Sequence, residues 1–417
     1  MEENQAVDQA TETRVPVTNA HLTLDDVYRA AFTLKGVARK TDLIQATRLK
    51  EGCSLYLKTE NLQRTGSFKV RGAYNKIASL TEEERSRGVI ACSAGNHAQG
   101  VALAATRFGI SSLICMPATA PISKVESTKH YGAEVCLVRG VYDDAHDKAV
   151  ELQRETGRTF IHPFNDPLVI AGQGTIGLEI LDQLPEVDVV LVPVGGGGLA
   201  SGVAFAVKSL KPGCKVYGVQ AAGAAGMAHA LSAGKLEGVD SVHTLADGIA
   251  VKCPEALTFE LCSTYLDGIL TVSEDEICTA ILQLIEREKV VAEGAGAASV
   301  AAALFDKVDL AGKRVACVVS GGNIDVTILS RVINRGLLRS GRQVELSVWL
   351  PDRPGALSDV TKVIGGEGAN IMSIQHDRNG LDDALDSCRC RVQLETRDAA
   401  HVAQVREALG ARGYRVE

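Results

Sequence analysis

Thr65-Gly-Ser-Phe-Lys69-Val-Arg-Gly72 puts a lysine at the start of a helical pattern that begins at about Ser67. There the positive end of the helix dipole disfavours an ammonium, and a neutral amine is what a Schiff-base lysine needs to attack an aldehyde. A solvent-facing lysine would tolerate the same position. Gly195, Gly196, Gly197 and Gly198 follow the apolar run Asp188–Val194 and precede Leu199. Consecutive glycines expose backbone N–H groups at a helix N-terminus, a cradle for phosphate. Gly195, Gly197 and Ala200 also satisfy G-x-G-x-x-A, but a dinucleotide site needs an acid about 20 residues on. The next strand, Lys215–Gln220, ends in Gln and runs into Ala221 and Ala222, which favours a monophosphate. No Lys-Ser or Lys-Thr follows the glycines, so a P-loop is excluded. A tight turn without ligand is the plain alternative, although four adjacent glycines cost backbone entropy.

Ser93-Ala-Gly95-Asn96-His97 offers backbone N–H groups, a hydroxyl and an amide to an anion such as a carboxylate, or is simply a capped turn. His97 has no neighbouring carboxylate in sequence and reads as a structural or hydrogen-bonding residue rather than a general base. Ser320 closes the apolar run Arg314–Val319, where its hydroxyl can donate to a ring nitrogen or cap a turn. Each feature is ambiguous by itself. Together they are the parts that hold pyridoxal phosphate and an amino-acid substrate.

The elements that must position them follow one rhythm from about Asp25 to Asn334. A short run rich in Val and Ile leads to Gly, Ser or Asn and then to a helical pattern, which predicts βαβ units and a mostly parallel sheet. All three loops fall at carboxyl ends of predicted strands, where open α/β sheets bind ligands. Past Arg342 the pattern changes to strands at Val344–Leu350, Asn370–Asp377 and Ser387–Leu394, with helices at Pro354–Gly365 and around His401–Leu409. Tyr414-Arg-Val closes a βαββαβ order. The expected organisation is a solvated tail at 1–21, a catalytic region at 22–335 with a smaller subdomain at about 68–165, and a small domain at 343–417. The basic stretch Arg331–Arg342 is the expected linker.

Composition narrows the classes. The chain has 417 residues, 46% hydrophobic and 23% charged, as in soluble globular proteins, with a net charge of -7 that offers no footprint for nucleic acid. The uncharged stretch Val189–Val207 is as long as the roughly 18 residues of a membrane span, but Pro193 and the four glycines fit a strand, a turn and a helix start instead. Eleven cysteines show no C-x-x-C, and Met1–His21 has acids and no apolar run. A cytoplasmic protein without zinc or a disulfide framework is expected.

The segments Lys58-Thr-Glu-Asn-Leu-Gln-Arg-Thr-Gly-Ser-Phe-Lys69, Ser93–His97, Ala171-Gly-Gln-Gly-Thr-Ile-Gly177, Gly195–Leu199, Val291-Ala-Glu-Gly-Ala-Gly296 and Ser320-Gly-Gly-Asn323 carry a resemblance. From about Leu24 to Arg335 the sequence resembles the pyridoxal-phosphate-dependent threonine ammonia-lyases (threonine dehydratases) of the two-domain tryptophan-synthase-β-like α/β fold, fold type II. The resemblance implies that Lys69 is the Schiff-base and catalytic residue and that Phe68 lies beside the cofactor. It implies that Gly195, Gly196, Gly197, Gly198 and Leu199 hold its phosphate, and that Ser320 faces the pyridine nitrogen. Ser93, Gly95, Asn96 and His97 would bind the substrate carboxylate, with Asn96 also touching the cofactor's 3′-oxygen, and Glu293 would have a supporting role. Related racemases bind a divalent cation through an acid after the strand matching Val216–Gln220. Here that place reads Ala221-Ala-Gly-Ala-Ala, so no metal is expected; Asp247 before Gly248 reads as a turn residue.

The implied reaction is β-elimination from L-threonine to 2-oxobutanoate and ammonia, and from L-serine to pyruvate. Lys69, once freed, removes the α-proton, and the leaving hydroxide is expected to take a proton from the phosphate held by Gly195–Gly198. Serine or 3-hydroxyaspartate ammonia-lyase and racemase are alternatives on the same scaffold, and a non-catalytic amino-acid sensor is an alternative of another class. Pro351-Asp-Arg-Pro-Gly-Ala-Leu357 and Gly368-Ala-Asn370-Ile resemble an ACT domain over about Gln343–Glu417. That implies a homodimer or homotetramer regulated by an amino acid such as isoleucine or valine, the alternative being a dimerisation module without effector.

Overall fold

The computed structural model describes residues 22–377 and 386–417; the tail expected at 1–21 lies outside the described residues. In chain order, β1 (Leu43–Gln45) and β2 (Ser54–Lys58) precede β3 (Val89–Cys92), β4 (Ser112–Pro117), β5 (Glu134–Val138) and β6 (Thr159–Phe160). The last four make a parallel sheet in the order β5-β4-β3-β6. β7 (Val189–Pro193), β8 (Lys215–Ala221), β9 (Gly268–Val272) and β10 (Arg314–Val318) then join the first two strands in a six-stranded sheet. Its order is β1-β2-β10-β7-β8-β9, parallel except for the β1–β2 pair. β3 and β7 are buried at every residue, which is why they read as unbroken apolar runs: helices cover both faces of a parallel sheet.

The helix Pro167–Gln183 sits between the helices Lys69–Ala78 and Gly198–Leu210 and explains the Ala171–Gly177 segment. A Cβ on Gly172 would lie 2.7 Å from the Arg71 carbonyl oxygen, and one on Gly202 2.4 Å from that of Ile170. These glycines let helix backbones touch. Asp166 caps the helix through the N–H groups of Leu168 and Val169, and Pro167 stands at its first position.

Beneath the Lys69 helix lies an ionic cluster that local sequence does not announce. Arg71 grips Glu60 through Nε and Nη2 at 2.9 and 2.8 Å, and Glu179 through Nη1 and Nη2 at 2.6 and 3.0 Å. Lys58 donates to Glu179 at 2.7 Å and to Gln183 at 2.8 Å. Burial opposes the charge on Glu60, but Arg71 outweighs it and holds the carboxyl below its ordinary range.

The C-terminal strands β11 (Gln343–Pro351), β12 (Asn370–Asp377), β13 (Ser387–Glu395) and β14 (Arg415–Val416) form an antiparallel sheet ordered β12-β13-β11-β14. Leu346, Val348, Val392 and Leu394 pack under Val360 and Ile364 of the helix Ala356–Gly366 and Val405 and Leu409 of the helix Ala399–Ala411. The basic stretch expected as a linker is instead mostly helix. Val326–Arg339 is one helix capped by Asp325; Arg335 and Arg339 both donate to Asp275, at 2.6 and 2.5 Å, and Arg342 beyond its end pairs with Glu286. Three arginines of this stretch, Arg335, Arg339 and Arg342, thus face acids that precede it in the chain. No helix among the described residues is long and apolar enough to cross a membrane.

Arg71→Met leaves Glu60 buried without its main partner, and breaking a buried pair from one side costs about 3–5 kcal/mol. A clear fall in the denaturation midpoint of the variant is expected; a midpoint equal to wild type would show that the cluster does not support the fold.

Candidate active site

A cavity of about 1140 Å³ opens at the carboxyl ends of the strands of both parallel sheets. Its lining includes Phe68, Lys69, Ser93, Gly95, Asn96, His97, Gly195, Gly196, Gly197, Gly198, Leu199, Glu293 and Ser320. Residues separated by most of the catalytic region are therefore brought round one space. The reason lies in the sheet order: β10 is wedged between β2 and β7, so the segments leaving these three strands are neighbours.

Lys69 is the first residue of its helix, and its Nζ lies 2.9 Å from the Pro163 carbonyl oxygen. Burial at the cavity wall pushes the ammonium down to about 8, against an opposing pull from Glu293. Lost solvation is thus the chief cause of the lowered value. Phe68 donates its backbone N–H to the Ser320 carbonyl at 3.1 Å, and Ser67 bridges Gly321. The lysine segment and the serine segment are stitched together. Ser320 itself is buried, two residues beyond the end of β10.

Gly197 has φ +98°, a left-handed conformation that favours glycine. A Cβ on Gly196 would lie 2.4 Å from the Phe164 ring. The loop therefore needs glycine for packing as well as for any exposed N–H groups, a second pressure that the sequence could not reveal. The helix Gly198–Leu210 starts directly from it, so its first N–H groups have no intrahelical acceptor.

In the loop after β3, Ser93 Oγ accepts the Gly95 N–H at 3.1 Å. That N–H is engaged within the turn, and further donors of the loop are the Ser93 hydroxyl and the first-turn N–H groups of the helix Asn96–Arg107. His97 Nε2 donates to the Ile161 carbonyl at 2.8 Å, and burial, then Lys69, push the imidazole down to about 3. Its Nε2 carries a proton and is no base.

Glu293 is buried, and burial, then Asp247, push its carboxyl up to about 7, against Asn96, Lys124 and Lys69. Its Oε1 accepts from Asn96 Nδ2 at 2.7 Å. Three further groups, Asn323, Lys124 and Asp247, had no place in the site from sequence. Asn323 Nδ2 reaches Asn96 Oδ1 at 2.8 Å; its only local signal is its place after Ser320-Gly-Gly. Lys124 and Asp247 form an ion pair in the cavity wall, joining a helix beside the smaller sheet to a turn beside the larger. Asp247, read as a turn residue, is both a turn residue and the partner of a cation.

These groups fit a phosphorylated pyridine aldehyde: a buried lysine of lowered pKa, a glycine loop at a helix start, a serine at a strand end and an oriented amide. The fold and this lining define an enzyme that works through pyridoxal phosphate. Residues 34–321 match the family described as pyridoxal-phosphate dependent enzyme, and residues 339–411 match an ACT domain. The chain belongs to the pyridoxal-phosphate dependent enzyme family and carries a C-terminal ACT domain. It is 53% identical over 397 residues to an L-threonine ammonia-lyase of Thermotoga maritima, covering 95% of this chain and 99% of that protein. An L-threonine ammonia-lyase of Geobacter sulfurreducens is 46% identical over 394 residues, covering 94% and 98%. Among solved structures, the processed threonine deaminase isoform 2 of Solanum lycopersicum aligns with a TM-score of 0.70 and 38% identity, over 75% of this chain and 94% of that one. Maize serine racemase aligns with a TM-score of 0.71 and 36% identity, over 76% and 98%.

The burial of Lys69 gives a pH prediction. Only the neutral amine attacks an aldehyde, so the rate at which the apoprotein takes up pyridoxal phosphate, followed by absorbance, rises with pH through a midpoint near 8. A midpoint at the ordinary lysine value of 10.5 would contradict the buried environment.

Proposed function

We propose that the protein catalyses β-elimination from L-threonine to 2-oxobutanoate and ammonia, and more slowly from L-serine to pyruvate. The observation that carries this reading is Lys69 in one cavity with the Gly195–Gly198 loop and the Ser93–His97 loop, in a chain alike over nearly its full length to L-threonine ammonia-lyases. Pyridoxal phosphate bound there would supply the electron sink that accepts the pair left when the substrate Cα–H bond breaks.

The chain's own groups take the remaining tasks. Gly195 to Gly198 and Leu199 hold the phosphate through backbone N–H groups. The hydroxyl of Ser93 and the helix start at Asn96 and His97 hold the substrate carboxylate, whose charge the helix dipole favours. Lys69 takes the α-proton; a pKa near 8 keeps a useful share of it unprotonated near neutrality. Ser320 offers the ring nitrogen a neutral hydroxyl and no carboxylate. That partner leaves the ring a weaker electron sink, which suits elimination better than transamination. Phe68 flanks the site, and its ring centroid is 5.3 Å from Lys69 Nζ.

The ACT domain is read as the regulatory part, with isoleucine or valine as effector and a homodimer or homotetramer as the assembly. We assign the reaction to the cytoplasm; in support, all eleven cysteines are free, as thiols are in a reducing compartment.

With L-threonine, L-serine and 3-hydroxyaspartate offered at equal concentration, the loaded protein should form 2-oxobutanoate fastest, and Lys69→Ala should form none. Wild-type rates from Lys69→Ala, or racemised substrate without 2-oxo acid, would refute the assignment. Removing residues 343–417 should abolish the response to branched-chain amino acids; unchanged activity with an unchanged response would refute the regulatory role.

A further inference from the structure

Asn96 is gripped from both sides, and the chemistry of the outer partners decides which way its amide faces. At one end Asn323 Nδ2 lies 2.7 Å from the Thr65 carbonyl oxygen. A carbonyl only accepts, so the Asn323 atom there must be its nitrogen. The same Nδ2 meets Asn96 at 2.8 Å, and the Asn96 atom that faces a donor must be Oδ1. Asn96 Nδ2 is thereby turned toward Glu293 Oε1, 2.7 Å away. Thr65, Asn323, Asn96 and Glu293 thus form one directed chain of hydrogen bonds.

The backbone is shaped to admit this chain. A Cβ on Gly66 would lie 2.2 Å from Asn323 Oδ1, and one on Gly321 would lie 2.3 Å from Glu293 Oε1. Glu293 is fixed in turn by its own N–H, which donates to the Gly321 carbonyl at 3.1 Å, and by its place just before the helix Gly294–Leu304. An amide nitrogen carries two N–H groups. Glu293 accepts one, and Asn96 lines the cavity.

We propose that Glu293 and Asn323 are positioning residues that fix the Asn96 amide so that its remaining N–H serves the cavity as a donor to the oxygen on the cofactor ring. This rests on the reading of Asn96 as the residue that meets that oxygen. Without the two outer partners the amide can turn over and set its own oxygen against the ring oxygen, replacing a hydrogen bond by a repulsion.

The test uses the full chain loaded with pyridoxal phosphate, with two readouts: the visible absorption band of the bound cofactor, which reports the environment of the ring oxygen, and the dissociation constant for pyridoxal phosphate. Glu293→Leu and Asn323→Leu should each shift the band and weaken cofactor binding about tenfold, the scale of one buried hydrogen bond. Glu293→Gln keeps an acceptor oxygen in the same place and should restore both readouts, which a merely structural role for the carboxylate would not predict. If both leucine variants bind the cofactor with the wild-type band and affinity, or if Glu293→Gln is as damaging as Glu293→Leu, the proposal is overturned. Should one leucine variant fail to fold, the other decides. Asn96→Ala separates the two levels: wild-type band and affinity in that variant would overturn the reading of Asn96 itself, and with it the role given to its neighbours.

Discussion

Everything at this site depends on the backbone ladder that joins the segment after β2 to the segment after β10. Val319 donates to Lys58 and Asn61 to Val319, both at 3.0 Å; Phe68 donates to Ser320 at 3.1 Å and Gly322 to Gly66 at 2.9 Å. These bonds hold Lys69, the lysine we propose carries the chemistry, beside the serine at the end of the neighbouring strand. Neither position tolerates drift, because a catalytic group misplaced by about 1 Å loses much of its effect.

The ladder is supported from below. Arg71, two residues along the helix from Lys69, is anchored by Glu60 and Glu179 on elements before and after it. The helix carrying both is pressed against Pro167–Gln183 through glycines that remove any side chain from the contact. A largely buried charge cluster is weak evidence for stability, and what these bonds do fix is the position of Arg71 near the start of the Lys69 helix. The same enclosure strips water from Lys69 and so keeps its amine reactive. Packing and chemistry share one cause.

The fold was readable wherever local pattern carries it. Apolar runs ending in Ser or Gly gave strands and the loops beyond them, since parallel strands covered on both faces must be apolar throughout and their carboxyl ends must turn. The change of pattern past Arg342 marked the C-terminal sheet. What sequence did not disclose was set by distant partners. Asn96 meets Glu293 197 positions away and Asn323 227 positions away, and no local spacing encodes such pairs. That the Ser93 hydroxyl accepts the Gly95 N–H is likewise not written in any local pattern. The basic stretch before the C-terminal domain read as a linker because its partners, Asp275 and Glu286, lie on another element.

The central claim is that Lys69, and no other lysine, forms the bond to pyridoxal phosphate. The most direct measurement is borohydride reduction of the loaded protein, followed by proteolysis and mass mapping of the label. The account predicts the phosphopyridoxyl mass on the peptide that contains Lys69, in a stoichiometry near one per chain. Label on a different lysine of the cavity wall, such as Lys124, or no label on protein that holds the cofactor, would contradict it.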